Sequence, residues 1–534
     1  MKTRSTFKTI ALSLLLSSST LLTIAQTPSI EWQKTKGGVG DDYTNPNSMI
    51  KLSDGNFLVY GTTTSPFPGV HGDYDAFIYK LNPNGKTIWK KVYGGTGNDD
   101  FWGVIQTDNG SFIAVGSTNS NDGDVIGNHG GDNDGWVVKL SANGNFQWQK
   151  CYGGSGDDKL TSVTKGSGNN FIVAGLSNSN DGDVNSNHGD YDGWVVKSNN
   201  SGNILWSKCI GGSAYDEIYG ISKVAGNYYV ATGSTASNDG DISGNHGGDY
   251  DAYAVRLNDN GNLSWSKCYG GSNFEFPNTS TILADGNICF TGVTLSNDGD
   301  VVGYHGGHNE SWTVKLNQHT GSIIWQICVG NADPNTGEAG FGITPTADGG
   351  VLVGDEFGFE DQATSINAKA TKIDKNGNQE WAFILGGSDN DWATGAIQTN
   401  DGDYILSCYT MSNDGDVTNQ HGEGDVWLVK LSADGCHQHH RDVAPDENNF
   451  ALSNSPNPIS TVTSISFMLP QAENCLINIY DVTGKAIAIL CENKLLEVGA
   501  HTIKWNVEGI DAGIYFLKFN AGDYVETKKM LIVK

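Results

Sequence analysis

Short apolar runs recur along residues 31–435, and each run is bounded by Gly, Asn or Asp. One unit contains four of them, FWGVIQT, SFIAVGST, GWVVKL and FQWQKCY, separated by DNG, by a long loop and by ANG. β-Branched and aromatic residues crowd these runs, and turn residues interrupt them before an apolar stripe of helical period could develop. The pattern therefore predicts an all-β fold of short strands and tight turns.

The four-strand unit occurs seven times, and a tryptophan marks each copy. Successive markers are 57, 59, 58, 59, 60 and 56 residues apart. The markers are Trp32, Trp89, Trp148, Trp206, Trp265, Trp325 and Trp381. Four strands per copy in a closed ring is the arrangement of β-propeller blades, so we predict a seven-bladed β-propeller over residues 26–435.

The order of strands within the units predicts how the ring closes. The first unit opens with SIEWQKTKGG, an outer strand, and the last unit, which ends near WLVKLSADG, lacks one. We expect the N-terminal strand to close the ring, because this pairs the backbone edge that the last blade would otherwise expose. Antiparallel order also places the GGSGDD turns and the long SNDGDV loops on one face, which is therefore acidic.

Three segments resemble a known repeat. YGGSGDD at 152–158, DGNFLVYGTTTS at 54–65 and DAFIYKLNPNG at 75–85 are similar to the seven-bladed β-propeller repeat of bacterial exported proteins. The resemblance covers about residues 31–435. It implies the fold and an extracytoplasmic setting, but no particular ligand, because propellers host unrelated activities.

The N-terminus predicts export. Residues 1–25 place Lys and Arg before an apolar run that ends at Ala25, which is the layout of a secretory signal peptide. We expect cleavage after Ala25. No later stretch approaches the roughly 20 apolar residues of a membrane-spanning helix, so we expect no membrane span.

The last 80 residues carry a different pattern. Alternating runs, CLINIY, AIAILC, HTIKW, IYFLKF and KKMLIVK, predict a small antiparallel β-sandwich over residues 455–534. Cys475 and Cys491 are equidistant from Thr483 in the turn, so they would face each other and could form a disulfide. Residues 436–454 between the two patterns predict a linker. Its histidines could bind a metal adventitiously: His437, His439 and His440.

This module resembles the C-terminal sorting domain (type A) of the type IX secretion system. SPNP at 455–458, IYDVTGK at 479–485, AGIYFLKF at 512–519 and the basic pair Lys528 and Lys529 carry the resemblance. It implies a Bacteroidetes-type exporter, the type IX secretion machinery as a partner, and transport across the outer membrane. The product would be secreted or held at the outer-membrane cell surface, with the module removed or exchanged for an anchor.

Charge and cysteine usage narrow the function. The net charge of −28, from 60 acidic and 32 basic residues, argues against nucleic acid as a partner, since phosphate binding needs clustered Lys and Arg. Cations suit this balance better. The nine cysteines leave at least one unpaired. Four occupy equivalent positions in successive units and are predicted to be packing thiols: Cys151, Cys209, Cys268 and Cys328.

The recurring SNDGDV loop is a candidate calcium site. Its two carboxylates flank a glycine, and closely spaced oxygen ligands are what Ca²⁺ requires, although the spacing is not that of an EF-hand. The alternative is that these residues form Asx turns and cap backbone amides. The candidate ligands are Asp122, Asp124, Asp181, Asp183, Asp239, Asp241, Asp298, Asp300, Asp414 and Asp416.

Histidines and irregular loops offer further candidates. One histidine follows each acidic loop and could bind a metal, although a hydrogen-bonded loop anchor is the simpler interpretation. These are His71, His129, His188, His246, His305 and His421. The fifth and sixth units depart from the repeat, and their candidate residues are His308, Glu310, Glu338, Asp355, Glu356, Glu360 and Asp361.

These observations favour a monomeric binding or adhesion scaffold outside the cell, with an unknown extracellular protein or glycan as its ligand. No catalytic constellation and no cofactor other than calcium are visible in the sequence. An alternative is an extracellular propeller hydrolase or lyase with an asymmetric site around blades 5 and 6. A third is a matrix component that self-associates with Ca²⁺.

Overall fold

The computed structural model contains strands and no helix in the part of the chain that it describes. The described residues are 28–358, 365–433, 452–455, 457, 459–469, 473–482, 485–496, 499–521 and 524–533. The chain divides into two compact units, Met1–His437 and Gln438–Lys534. The predicted signal peptide and most of the predicted linker lie outside the described residues, and the residue-level domain boundaries stay predictions.

The first unit is built from successive antiparallel sheets, which we number as blades 1 to 7. The first strand of the described residues is β1 (Ile30–Lys36). Blades 1 to 3 contain β2 (Asp42–Tyr43), β3 (Met49–Lys51), β4 (Phe57–Thr63), β5 (Asp75–Leu81), β6 (Thr87–Tyr93), β7 (Gly103–Gln106), β8 (Phe112–Thr118), β9 (Asp134–Leu140), β10 (Phe146–Tyr152), β11 (Asp158–Lys165), β12 (Phe171–Ser177), β13 (Asp192–Ser198) and β14 (Ile204–Ile210).

Blades 4 to 7 continue the same order from inner to outer strand. They contain β15 (Asp216–Val224), β16 (Tyr228–Thr235), β17 (Asp251–Leu257), β18 (Leu263–Tyr269), β19 (Glu275–Ile282), β20 (Ile288–Thr294), β21 (Glu310–Leu316), β22 (Ile323–Val329), β23 (Gly337–Pro345), β24 (Val351–Gly358), β25 (Asn367–Ile373), β26 (Gln379–Leu385), β27 (Asp391–Gln398), β28 (Tyr404–Thr410) and β29 (Asp425–Leu431). The predicted all-β propeller fold is confirmed.

The ring closes as the sequence predicts. The outer strand of blade 7 is β1, which pairs antiparallel with β29. Glu31 and Lys430 form an ion pair of 3.0 Å across this junction. Trp427 Nε1 donates a 2.8 Å hydrogen bond to Gln33 Oε1. The N-terminal strand therefore supplies both backbone and side-chain hydrogen bonds to the last blade. The edge of β29 is paired as a result.

Adjacent blades share their apolar cores, which explains the repeated aromatic pattern. Trp136 on β9 is fully buried and stacks on Phe101, with ring centroids 5.1 Å apart. The marker tryptophan has a different role. Gly144, in the ANG turn of blade 2 at φ 71°, leaves no room for a Cβ atom, which would stand 2.8 Å from the Trp89 ring of blade 1. Each marker thus packs against the next blade.

The inner strands of successive blades contact one another around the channel, and most carry a β-bulge near their start. The register shifts between Leu160 and Ser162 in blade 3, and between Ile218 and Gly220 in blade 4. A bulge leaves one residue out of the ladder and redirects its side chain. In these two blades the residues are Thr161 and Tyr219, which line a channel cavity of about 190 Å³.

The second unit is a sandwich of two antiparallel sheets, in the orders β30-β31-β34 and β33-β32-β35-β36. Its strands are β30 (Ser453–Ser455), β31 (Val462–Leu469), β32 (Glu473–Asp481), β33 (Ala486–Leu496), β34 (Gly499–Asn506), β35 (Gly513–Ala521) and β36 (Tyr524–Ile532). Its core includes Phe467 and Phe519, whose ring centroids lie 4.7 Å apart. The predicted sandwich is confirmed.

The predicted disulfide between Cys475 and Cys491 is not formed. Cys475 and Cys491 are both buried but free. Irregular register between β32 and β33 places Cys491 opposite Ile477, and Cys475 opposite Lys494, rather than opposite each other. Symmetry about the turn therefore fails because bulges shift one strand along the other. The four equivalent propeller cysteines are buried free thiols, as predicted.

Candidate binding site

The repeated carboxylates hold the turns between blades. In blade 3, Asp158 Oδ2 accepts hydrogen bonds of 2.8 Å from the backbone N–H of Gly154 and from Ser179 Oγ. Its Oδ1 accepts a hydrogen bond from Ser177 Oγ. The equivalent residues in other blades are buried acceptors of the same kind: Asp42, Asp99, Asp216, Glu275 and Asp391. These carboxylates recur because each one holds the same turn in its own blade.

The predicted calcium ligands contact the same turns. The first aspartate of each loop accepts a 2.7 Å hydrogen bond from the backbone N–H that follows the GG pair, as Asp122 does from Thr96. The other four are Asp181, Asp239, Asp298 and Asp414. The second aspartate donates its backbone N–H to the first glycine carbonyl, as Asp124 does to Gly94. The other four are Asp183, Asp241, Asp300 and Asp416.

These contacts match the capping alternative, and they confirm that the GGSGDD turns and SNDGDV loops share one face. Among the residues that the structure describes, no group of three or more His, Cys, Asp or Glu side chains is arranged to hold a metal ion. Backbone and amide oxygens could still supply calcium ligands. The calcium hypothesis therefore stays a prediction.

The loop histidines are held by the carboxylate that opens the third strand of their own blade. His129 Nδ1 lies 2.8 Å from Asp134 Oδ2, and the backbone N–H of His129 donates to the same oxygen. The other oxygen, Asp134 Oδ1, is buried without a hydrogen-bond partner and packs against Gly153. Burial raises the pKa of Asp134 to about 6. The same Nδ1 contact occurs at His188, His246, His305 and His421, whereas His71 Nδ1 is 4.0 Å from Asp75.

The irregular candidates of blades 5 and 6 divide into separate groups. Glu310 is the partner of His305, and His308 Nδ1 lies 3.0 Å from Asn309 Oδ1. Glu338 and Asp355 are brought together by Lys369, which forms an ion pair with Glu338. All three side chains of that cluster are buried. Glu356 is half-buried, and Glu360 and Asp361 lie outside the described residues.

A further set of residues, which the sequence analysis did not propose as a site, lies where the inner strands begin. We call the channel mouth the set of residues that directly follow the repeated inner-strand carboxylates. They differ from blade to blade: Tyr43, Asp100, Lys159, Glu217, Phe276 and Trp392. Because the carboxylates fix the backbone on either side, these variable side chains stand at equivalent points on a rigid ring.

Half-buried aromatic rings form a continuous belt beside this mouth. The aromatic belt consists of Trp102, Tyr191, Tyr215, Tyr219, Tyr250, Phe274 and Phe276. Consecutive rings have centroids 5.0 to 6.5 Å apart. Phe274 and Phe276 are stacked at 5.6 Å, and Tyr215 and Tyr250 meet edge to face at 5.9 Å. The belt thus spans blades 2 to 5.

Glu217 fixes two rings of the belt. Its Oε2 accepts hydrogen bonds from Tyr219 Oη at 3.0 Å and Tyr215 Oη at 3.2 Å. Its Oε1 accepts a 2.8 Å bond from Ser234 Oγ. Burial raises the pKa of Glu217 above its usual range. Rings held in this way lose little conformational entropy when they contact a ligand.

A polar cavity of about 310 Å³ adjoins the belt in blades 1 to 3. Tyr43, Asp100 and Lys159 line it. Asp100 Oδ2 accepts a 3.0 Å hydrogen bond from Trp102 Nε1, so this carboxylate joins the cavity to the belt. Burial raises the pKa of Asp100. On its other side, Tyr43 contacts Tyr409 at 5.4 Å between ring centroids.

Comparisons with known proteins identify the second unit. Residues 455–534 match the family model described as the secretion system C-terminal sorting domain. This part of the chain is a type IX sorting domain, so the protein is exported and is either secreted or attached to the cell surface. No helix in the described residues is long and apolar enough to cross a membrane. No curated protein matches the chain.

Solved structures are similar at low identity. A puromycin hydrolase mutant has 11% identity and a TM-score of 0.40, over 80% of this chain and 59% of that one. An α-L-arabinanase from Penicillium chrysogenum has 12% identity and a TM-score of 0.34, over 75% and 98%. A NanB sialidase mutant from Streptococcus pneumoniae has 10% identity and a TM-score of 0.32, over 73% and 68%. The chain therefore spans less than two thirds of the puromycin hydrolase, and these likenesses say nothing about its ligand.

Proposed function

We propose that the exported propeller is a binding protein for an extracellular glycan, which lies on the aromatic belt at the channel mouth. The observation that carries the proposal is the belt itself, because half-buried rings on a rigid scaffold offer large, flat and partly dry contact surfaces. Ligand sites typically combine aromatic and apolar surfaces with a few placed polar groups. Here the belt supplies the rings, and the adjoining polar cavity supplies Asp100 and Lys159.

The polar edges of the belt suit sugars. A sugar ring has an apolar C–H face and a rim of hydroxyls, and tyrosines present a ring face beside a hydroxyl that can both donate and accept. Tyr191 Oη donates a 3.1 Å hydrogen bond to Asp157 Oδ2, and the half-buried Tyr250 follows in the belt beyond Tyr215. Export by the sorting domain places this surface outside the cell, where glycans are available.

The test is a glycan array with the full exported chain, followed by calorimetry on each positive glycan. We expect Phe274→Ala to weaken binding by about tenfold, because the loss of one stacked ring removes about 1.4 kcal/mol. Phe146→Ala is the matched control, since Phe146 is an exposed ring on the outer strand β10. An array without positives, or equal losses in the two variants, would reject the proposal.

Hydrolysis is the second candidate function. Asp100 and Glu217 lie at the mouth, and burial raises the pKa of both carboxyls. A raised pKa favours the protonated form that a general acid needs. A screen of the bound glycans for cleavage products, repeated with Asp100→Asn and Glu217→Gln, tests this candidate. Cleavage that survives both substitutions would exclude these residues as the acid.

A further inference from the structure

We propose that blade 6 carries an intramolecular cross-link, an amide bond between Lys369 Nζ and the side-chain carboxyl carbon of Glu338. The two residues already form an ion pair, in which Nζ donates a hydrogen bond to Glu338 Oε2. The bond would join the inner strand β23 to the third strand β25 across β24. It is a modification of the propeller scaffold and does not depend on the ligand of the channel mouth.

Blade 6 breaks the repeat at the position of a buried aromatic residue. The third residue of the third strand is a buried Phe, Trp or Tyr in the other six blades: Phe77, Trp136, Trp194, Tyr253, Trp312 and Trp427. In blade 6 this residue is Lys369. Opposite it on the second strand lies Asp355, where five blades have glycine. A lysine and a carboxylate thus replace an aromatic ring and a glycine in the core.

Three charged side chains meet at this place, and all are almost fully buried. Lys369, Glu338 and Asp355 are 5%, 4% and 0% exposed. Asp355 Oδ1 accepts a 2.7 Å hydrogen bond from Ser311 Oγ, whereas Asp355 Oδ2 is buried without a hydrogen-bond partner. The amine therefore contacts one carboxyl, and a second carboxyl with an unpaired oxygen lies beside the pair.

An ion pair alone is a costly replacement for an aromatic ring. Removing two charges from water commonly costs more free energy than their attraction returns, and burial favours the neutral forms. Burial raises the pKa of Glu338 and of Asp355. Transfer of one proton from Lys369 Nζ to Glu338 converts the pair into an amine and a carboxylic acid, the two reactants of amide formation. The amide removes both charges from the core.

The step balances without any further reactant. The lone pair of Lys369 Nζ attacks Glu338 Cδ, so that a C–N bond forms and the C–O bond to one oxygen of Glu338 breaks. Asp355 relays a proton from the attacking nitrogen to the departing oxygen, which leaves as water. Because the two groups are held in contact, the reaction is effectively unimolecular, and exclusion of water from the core opposes the reverse hydrolysis.

Peptide mapping of the full chain by mass spectrometry tests the proposal. Trypsin and chymotrypsin together should leave the peptide with Glu338 joined to the peptide with Lys369, because chymotrypsin cuts between them at Phe341 and Phe357. We expect the mass of the joined pair to be the sum of the two peptides less one water molecule. Recovery of the two peptides only as separate, unmodified species would overturn the proposal.

Matched variants assign the roles. Lys369→Met removes the nucleophile and Glu338→Ala removes the carboxyl that it attacks, so neither should yield joined peptides. Asp355→Asn should slow formation of the bond about a hundredfold, because general acid–base catalysis contributes at least about that factor. Lys372→Gln is the control, since Lys372 is a buried lysine of the same strand in an ion pair with Asp348. Joined peptides in the Lys369→Met or Glu338→Ala variant would overturn the proposal, and parental rates in Asp355→Asn would overturn the proton relay.

Discussion

The turns between blades, which we call the blade junctions, and the channel mouth are made from the same loops. Their residues repeat at the junctions but vary at the mouth. At the junctions, Asp158 and its equivalents make the same hydrogen bonds in nearly every blade. At the mouth, the very next residue changes from Asp100 to Lys159 to Glu217 to Phe276 around the ring. The comparison teaches that copies of a residue serve the scaffold, whereas the positions where the copies differ are free to serve a ligand.

The closing strand should give the largest effect on stability. Deletion of β1 removes its backbone ladder to β29 and the Glu31–Lys430 ion pair. Each lost hydrogen bond costs about 1 kcal/mol, so we expect the unfolding free energy to fall by several kcal/mol. Urea denaturation followed by tryptophan fluorescence measures the loss. A peptide of residues 28–37 added in trans should restore part of it, and an unchanged midpoint in the deletion would refute the closure.

Loss of a single junction carboxylate should have the second largest effect on stability. Asp158→Ala leaves the Gly154 N–H and the Ser177 and Ser179 hydroxyls without their acceptor, which we expect to cost about 3 kcal/mol. Asp190→Ala, at an exposed loop position, is the control and should change the urea midpoint little. Similar midpoints for the two variants would contradict the structural role of the repeated carboxylates.

The buried third-strand carboxylates should make stability depend on pH. Burial raises the pKa of Asp134 and Asp251 to about 6. A carboxyl with a raised folded-state pKa stabilises the fold fully below its unfolded-state pKa of about 4, and this contribution is lost as the pH rises through about 6. Asp134→Asn should therefore reduce the fall in urea midpoint between about pH 4.5 and 7.5. An identical pH profile in variant and parent would argue against the shift.

The smallest effect concerns calcium. If the SNDGDV loops bind Ca²⁺, millimolar Ca²⁺ should raise the melting temperature by mass action, and Asp122→Asn combined with Asp124→Asn should lower that rise by one loop's share. Mg²⁺ at the same concentration is the control for ionic strength. A melting temperature that does not move at millimolar Ca²⁺ would reject the calcium hypothesis.

Most of the fold could be predicted from the sequence, because each unit repeats the same short-range signals. Trp32 and its six equivalents gave the period, and the missing last strand indicated that β1 would pair with β29. The Cys475–Cys491 pairing failed because bulges are set by tertiary packing and leave no clear mark in the sequence.

The channel mouth was harder to predict. The aromatic belt joins Trp102 to Tyr191 through residues far apart in the chain, and only the closed ring brings them together. One signal was present. The position after each repeated carboxylate varies among the copies, whereas the carboxylate and the Gly-Gly pair that precedes it by five and four residues recur. The more visible asymmetry lies in the irregular loops of blades 5 and 6, and in blade 6 it marks the buried cluster around Lys369.

The central claim is that the aromatic belt beside the channel mouth binds the ligand without supporting the scaffold. Its most direct test is one measurement, the affinity of Tyr250→Ala for the best glycan on the array. The variant should unfold within about 1 kcal/mol of the parent chain, because Tyr250 is half-buried at the surface. We predict a loss of affinity of about tenfold. Parental affinity in a folded variant would contradict the claim.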